Sequence, residues 1–368
     1  MKRWILVSAA ALAVMPLLGA EAASTSEAIA SGATYIKSLQ TADGAYGSES
    51  LSQNMDAVFA VRAAGFDPAK DKFGGVGPAE FLAANIDQVT NSAIAAKAAL
   101  VAKALGLDPH AVGGLDLITT AEAGFDSATG LYGEDAFSQS ISMIGLACTG
   151  NEVTKSASEA LLAMQLDDSH GWGFGGFPDP DTTAIAIQAL LATGSGADLG
   201  PIVEALAFLK ESQGEDGGWG FDPAASNASS TAYVVQALYA AGEDPESAEY
   251  TVDGVTPIEF LLSQQQPDGS FLGFDPAYST NQVLPALAGR TFCNAADTPI
   301  VNVRTEPTAT PSAIPSSPTA TPSVVPGPPS TGNATPHVGG GGAGVLFGGA
   351  LIVLAVGFGL AAAARRGG

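Results

Sequence analysis

Between Ser24 and Cys293 the chain alternates two kinds of apolar segment. One kind is amphipathic: Ile202, Val203, Leu206 and Leu209 recur at helical spacing, with Glu204, Lys210 and Glu211 among them. The other is almost uncharged, as in Ala184-Ile185-Ala186-Ile187-Gln188-Ala189-Leu190-Leu191. A helix of the first kind turns one face to water, and one of the second is buried on most sides. Turn signals separate the two. Gly214-Glu215-Asp216-Gly217-Gly218 breaks one helix, Ser229-Ser230-Thr231 can cap the next over 232–241, and Gly242-Glu243-Asp244-Pro245 ends it. The same ending recurs at Gly65-Phe66-Asp67-Pro68 and Gly106-Leu107-Asp108-Pro109.

This alternation is a repeat. A glutamine three residues before an aspartate, then glycine and an aromatic residue, occurs at Gln40-Asp43-Gly44-Tyr46, Gln165-Asp168-Gly171-Trp172, Gln213-Asp216-Gly217-Trp219 and Gln265-Asp268-Gly269-Phe271. Tyr132-Gly133 marks a copy without the glutamine, and a weaker unit runs through Phe81-Leu82. Units of roughly 40–50 residues are the period of helical-pair repeats. Six apolar helices inside and six amphipathic ones outside predict an all-α fold, a closed α6/α6 barrel over residues 23–297. Closure buries the faces that the end repeats of an open array would expose.

The flanks read differently. Lys2-Arg3, an apolar run from Ile5 to Leu18 and Ala20-Glu21-Ala22 form a secretory signal peptide over 1–22, with an uncleaved anchor as the alternative. Residues 298–344 are rich in Pro, Thr, Ser and Gly and read as an extended stalk. Val345 to Ala364 carries no charge and is long enough, at about 30 Å, to cross a bilayer as a helix. Arg365 and Arg366 then place the tail 365–368 in the cytoplasm. The expectation is an exported, single-pass cell-membrane protein with its barrel outside. Pro329-Ser330-Thr331-Gly332 ahead of the span also resembles a sortase-type sorting signal, although Pro328 stands where that pattern has leucine.

Composition narrows the chemistry. A formal charge of −23 argues against nucleic acid and against a grip on anionic lipid headgroups. Two cysteines and three scattered histidines argue against a cysteine- or histidine-rich metal site, and no cofactor or metal is expected. Cys148 and Cys293 form either a buried pair or, given export, a disulfide. Acidic turns such as Asp167-Asp168-Ser169 include no twelve-residue calcium loop. A monomer is expected.

Gln213-x-x-Asp216-Gly217-x-Trp219-Gly220-Phe221, followed by Thr231-Ala232-x-x-x-Gln236-Ala237-Leu238, resembles the α/α-toroid superfamily of terpene cyclases and protein prenyltransferases. That superfamily also holds the cobalamin carriers and the complement thioester domains. The resemblance covers residues 24–293 and implies a six-hairpin toroid; a shared barrel does not imply shared chemistry. The prenyltransferase zinc ligands have no counterpart around Cys148, and neither cysteine lies in a thioester motif. Class II cyclases protonate an alkene with the middle acid of Asp-x-Asp-Asp-Thr-Ala. Asp179-Pro180-Asp181-Thr182-Thr183-Ala184 matches it except at the third carboxylate, so the resemblance implies Asp181 as general acid and Asp179 as its neighbour. Independently of any family, Asp181 reads as an N-cap of the fourth inner helix. The single exported barrel is closer in layout to the cobalamin carriers, although a stalk replaces their second domain.

A ligand surface follows from the repeat order, which brings all six inner-helix N-termini to one rim. Their expected starts are Asn54/Asp56, Asn91/Ser92, Ser138/Ser140, Asp181/Thr182, Ser230/Thr231 and Ser279/Thr280. The preceding loops carry Tyr46, Tyr132, Trp172, Phe174, Phe177, Trp219, Phe221, Phe271 and Phe274. Polar helix ends among aromatic side chains suit a small molecule or a glycan, with Tyr132, Trp172, Phe174, Phe177, Asp181, Thr182, Trp219, Phe221 and Phe274 as candidate contacts. For Trp172, Trp219 and Phe271 a competing expectation is that they wedge neighbouring hairpins together while Gln165, Gln213 and Gln265 cap helix ends. The unrepeated Phe174-Gly175-Gly176-Phe177-Pro178-Asp179 insertion is free of that demand and is the better functional candidate. Three roles fit: non-catalytic binding, a cyclase-like enzyme, or a protein-interaction spacer.

Overall fold

The computed structural model describes residues 24–300, apart from 48, 49, 223 and 274. Among these, the two classes of segment become twelve alternating α-helices. The amphipathic segments are α1 (Thr25–Ser38), α3 (Pro78–Ala84), α5 (Leu117–Ala123), α7 (Lys155–Ala163), α9 (Gly200–Glu211) and α11 (Pro257–Ser263). The apolar ones are α2 (Leu51–Ala63), α4 (Ser92–Ala104), α6 (Ala136–Cys148), α8 (Pro180–Ala192), α10 (Ala228–Ala241) and α12 (Pro276–Leu287). The even helices pack in sequence order and α12 returns to α2, which closes an inner ring. The odd helices bury one stripe each, such as Ile202, Ala205 and Leu209 of α9. Small residues let the ring helices approach: a Cβ on Gly145 of α6 would meet the Ala96 carbonyl of α4 at 2.3 Å. The expected six-hairpin α/α toroid is the observed fold.

Each repeated glutamine does more than cap a helix. The Gln213 amide nitrogen donates to Gly217 O in its own turn (2.9 Å) and to Tyr250 O ahead of α11 (2.7 Å). Gln165 likewise reaches His170 O and Pro201 O, and Gln40 reaches Asp71 O. An amide nitrogen has two protons, so one side chain can hold both its own turn and the next unit. Gln265 makes the same pair with Gly269 O and Ala28 O, which joins the last unit to the first.

Five of the six inner-helix starts lie upstream of the expected ones. The N-caps are Ser50, Asn91, Asp135, Asp179, Asn227 and Asp275; only Asn91 is as expected. Asp179, not Asp181, caps α8, accepting from the Thr182 amide at 2.7 Å. The polar side chains further along have another partner. Thr183, Thr231 and Thr280 accept the backbone N–H of Trp172, Trp219 and Phe271, while Asn54 and Gln139 accept those of Tyr46 and Tyr132.

A strap over 289–298 crosses the ends of the inner helices after α12. Cys293 is disulfide-bonded to Cys148 at the end of α6, settling the pair left open by sequence. The Phe292 amide donates to Gln188 Oε1 of α8 (2.9 Å), and its ring packs against Phe59 of α2, centroids 5.2 Å apart. Arg62 donates to Ala296 O, and Lys103 to both Cys148 O and Asp297. The expected signal peptide, the expected stalk beyond Ile300 and the expected 345–364 span lie outside the described residues. Among those described, no helix is long and apolar enough to cross a membrane.

Candidate binding site at the inner-helix rim

The inner-helix N-termini do share one rim. Ser229 of α10 and Ser279 of α12 meet through their hydroxyls at 3.1 Å. Gln53 of α2 donates to the α12 cap Asp275 (3.3 Å), and Lys97 of α4 to Ser52 of α2.

The predicted contacts divide into two groups there. Trp172 and Trp219 are fully buried, their indole nitrogens donating to Leu161 O (2.7 Å) and Leu209 O (2.6 Å) of the outer helices. Tyr132 is also buried, against Phe125. These three wedge the hairpin walls and do not line the mouth. A buried ring joined to the wall by its own turn has no surface to offer a ligand. Phe174, Phe177 and Phe221 are the opposite case, exposed at 53%, 57% and 57%. Phe174 and Phe177 face each other across a two-stranded hairpin, β1 (Gly173–Phe174) and β2 (Phe177–Pro178), immediately before α8. Phe221 lies in the loop before α10. Leu272, in the loop before α12, is 49% exposed and was not among the predicted contacts. Phe274 lies outside the described residues. Thr182 is buried, its hydroxyl donating to Asp179 at 2.9 Å.

Asp181 sits in the first turn of α8, with Ser230 of α10 in hydrogen-bonding range and its Oδ1 enclosed without a partner. Burial, reinforced by the Asp179 charge, pushes its carboxyl up to about 7. Burial raises Asp179 as well, opposed by the Thr182 amide and hydroxyl.

Below the rim several side chains meet inside the ring, and of these sequence reasoning singled out only Asp56, as an expected helix start. Phe137 of α6 meets Tyr233 of α10 edge-on at 6.4 Å, and the Tyr233 hydroxyl lies 3.4 Å from that of Tyr278 on α12. Because α6 and α10 are not neighbours in the ring, the first contact runs through the lumen. Both tyrosines feel the charges of Asp56 and Asp181 and are raised, chiefly by burial. Asp56 of α2 pairs with Lys97 of α4 at 2.6 Å, both side chains about nine-tenths buried. Burial pushes the Asp56 carboxyl up against the pull of Lys97. A charge inside helices otherwise uncharged was the sequence signal for this pair. Deeper still, Asp56, Phe59, Gln236, Asn281, Gln282 and Phe292 enclose a cavity of about 10 Å³, room for one water molecule.

No protein-family profile matches the chain, and no curated protein is similar to it in sequence. Solved structures share its fold. The type II terpene cyclase MstE from Scytonema superposes with a TM-score of 0.52 at 14% identity, over 72% of this chain and 97% of that one. A crystal structure of a protein from Actinoplanes gives 0.51 at 16% identity, over 75% and 100%. The chain thus shares the α/α-toroid fold of these structures, a likeness of fold alone at these identities.

Proposed function

We propose that this chain is an exported, membrane-anchored binding protein whose inner-helix rim takes a small molecule or a surface polymer without transforming it. The observation that carries the reading is the contrast at the rim. Phe174, Phe177 and Phe221 stand more than half exposed on loops ahead of two neighbouring inner helices, while the lumen beneath is occupied by Phe137, Tyr233 and Tyr278. Exposed apolar groups gathered at a polar rim are the usual mark of an interaction site. An enzyme acting on a polyprenyl chain must enclose it, and the cavity described holds one water. The signal peptide, stalk and apolar span read from sequence supply the tether and put the rim outside the cell.

A second reading, a cyclase-like isoprenoid enzyme, is favoured by the Asp181 carboxyl, held near neutrality beside Asp179. In that reading Asp181 donates the proton, the Asp179 charge keeps it protonated beforehand, and Ser230 hydrogen-bonds the anion left behind. Native mass spectrometry of the full chain in detergent, offered corrinoids, polyprenyl lipids and oligosaccharides, separates the two. A stoichiometric adduct is expected. A polyprenyl compound returned at unchanged mass with altered retention, and lost in Asp181→Asn, would establish the cyclase instead; bare protein with untouched compounds would contradict both.

A further inference from the structure

Where α12 returns to α2 and closes the ring, the joint encloses polar groups. The small cavity there is lined by Asp56 of α2, Gln236 of α10, and Asn281, Gln282 and Pro285 of α12, with Phe292 and Ala295 of the strap over it. Its polar groups are not matched to one another. Asn281 and Gln282 are 4% and 2% exposed, yet Asn281 Oδ1 and Gln282 Nε2 complete no hydrogen bond. Gln282 lies near enough to Asp56 to oppose the rise of its carboxyl, without satisfying its own Nε2. The repeat explains the space. Counted from Thr183, Thr231 and Thr280, the fifth residue on is Gln188 in α8, Gln236 in α10 and Pro285 in α12. A proline thus stands where the two preceding inner helices carry a long amide. Pro285 also has no N–H, so the Asn281 carbonyl four residues back lacks its helical donor.

A buried polar atom left unpaired is costly, and the unpaired atoms here are of both kinds. The asparagine oxygens need a proton, and the glutamine nitrogen offers one. A metal ion could serve only the oxygens, and Lys97, 2.6 Å from Asp56, already supplies the positive charge. Water both donates and accepts, and a cavity of about 10 Å³ has room for one such molecule. We propose that one ordered water is a built-in part of this joint, donating to Asn281 Oδ1 and to the Asp56 carboxylate and accepting from Gln282 Nε2. It joins the last inner helix to the first at the one seam where the repeat's glutamine is missing, and Phe292 seals it from the closed mouth. The site is independent of whatever the rim binds.

The test uses the full chain in detergent, labelled at the glutamine side-chain nitrogens. Water-to-protein Overhauser spectra of the wild type are expected to show a cross-peak from a long-lived water to the Gln282 side-chain amide. Magnetic relaxation dispersion of the solvent oxygen then counts such waters in the wild type and in Pro285→Gln. That variant restores the repeat's residue and its N–H, and glutamine exceeds proline by roughly the volume of one water. The variant is expected to lose one long-lived water together with the Gln282 cross-peak. A folded wild type without the cross-peak would overturn the proposal whether or not the variant folds. A folded variant that keeps both the cross-peak and the wild-type count would overturn it as well.

Discussion

The barrel's two mouths are built from similar materials and finished in opposite ways. At the inner-helix C-termini, Phe292 packs on Phe59, its amide is held by Gln188, and the strap around it is joined to α6 by Cys148–Cys293 and to α2 and α4 by Arg62 and Lys103. Cations there meet carbonyls and Asp297. At the N-termini the loops into the inner helices carry no Lys or Arg, no strap crosses among the described residues, and Phe174, Phe177 and Phe221 are more than half exposed. An aromatic ring is thus a stopper at one end and an unmatched surface at the other. The difference separates an end held together by buried contacts from an end that leaves apolar side chains exposed.

Breaking the closed end should have the largest effect. Phe292→Ala removes a buried ring and is expected to cost about 3–5 kcal/mol in chemical denaturation. Asp56→Ala, in the lumen between the mouths, leaves Lys97 buried without its carboxylate and is expected to cost a similar 3–5 kcal/mol, whereas exchanging both for apolar residues should recover much of it. Cys148→Ser, which opens a link across 145 residues, should lower stability by about 2–4 kcal/mol, and a reductant should do the same to the wild type but not to the variant.

The open end responds differently. Burial and the Asp179 charge push the Asp181 carboxyl from its ordinary value of 3.8 up to about 7 in the fold, against a hydrogen bond from Ser230, with Tyr233 and Tyr278 also feeling its charge. Between those values the folded chain keeps a proton that the unfolded chain releases, so this group's contribution falls as pH rises through that window. Asp181→Asn should therefore raise stability by about 1–3 kcal/mol at pH 8 and leave it nearly unchanged at pH 4, read as paired melting curves. Smallest of all, Phe174→Ala or Phe221→Ala should move stability by no more than about 0.5 kcal/mol while weakening ligand binding.

The toroid was legible because its repeat is written twice, in helical spacing and in the Gln-x-x-Asp-Gly-aromatic turns. What the turns do was harder to read. Gln265 reaches Ala28, a partner no local pattern reveals, and Thr231 looks like a helix start although its hydroxyl accepts the Trp219 amide from the preceding turn. Trp172 and Trp219 were candidates for the rim by their place in the loops, yet each indole N–H turns inward to an outer-helix carbonyl. The Phe174–Phe177 insertion, which no repeat required, was the better guide to the surface. Residues of the lumen were missed because they converge from non-neighbouring helices: Phe137 and Tyr233 lie far apart in sequence and meet only once the ring closes.

The central claim, that the open mouth is a binding face, is tested most directly by native mass spectrometry of wild type beside a Phe174→Ala/Phe221→Ala double variant, both offered the same mixture of compounds. The account predicts a stoichiometric adduct on the wild type that the double variant, with an unchanged melting temperature, fails to form. An adduct that persists on the double variant would contradict it and place the binding elsewhere on the molecule.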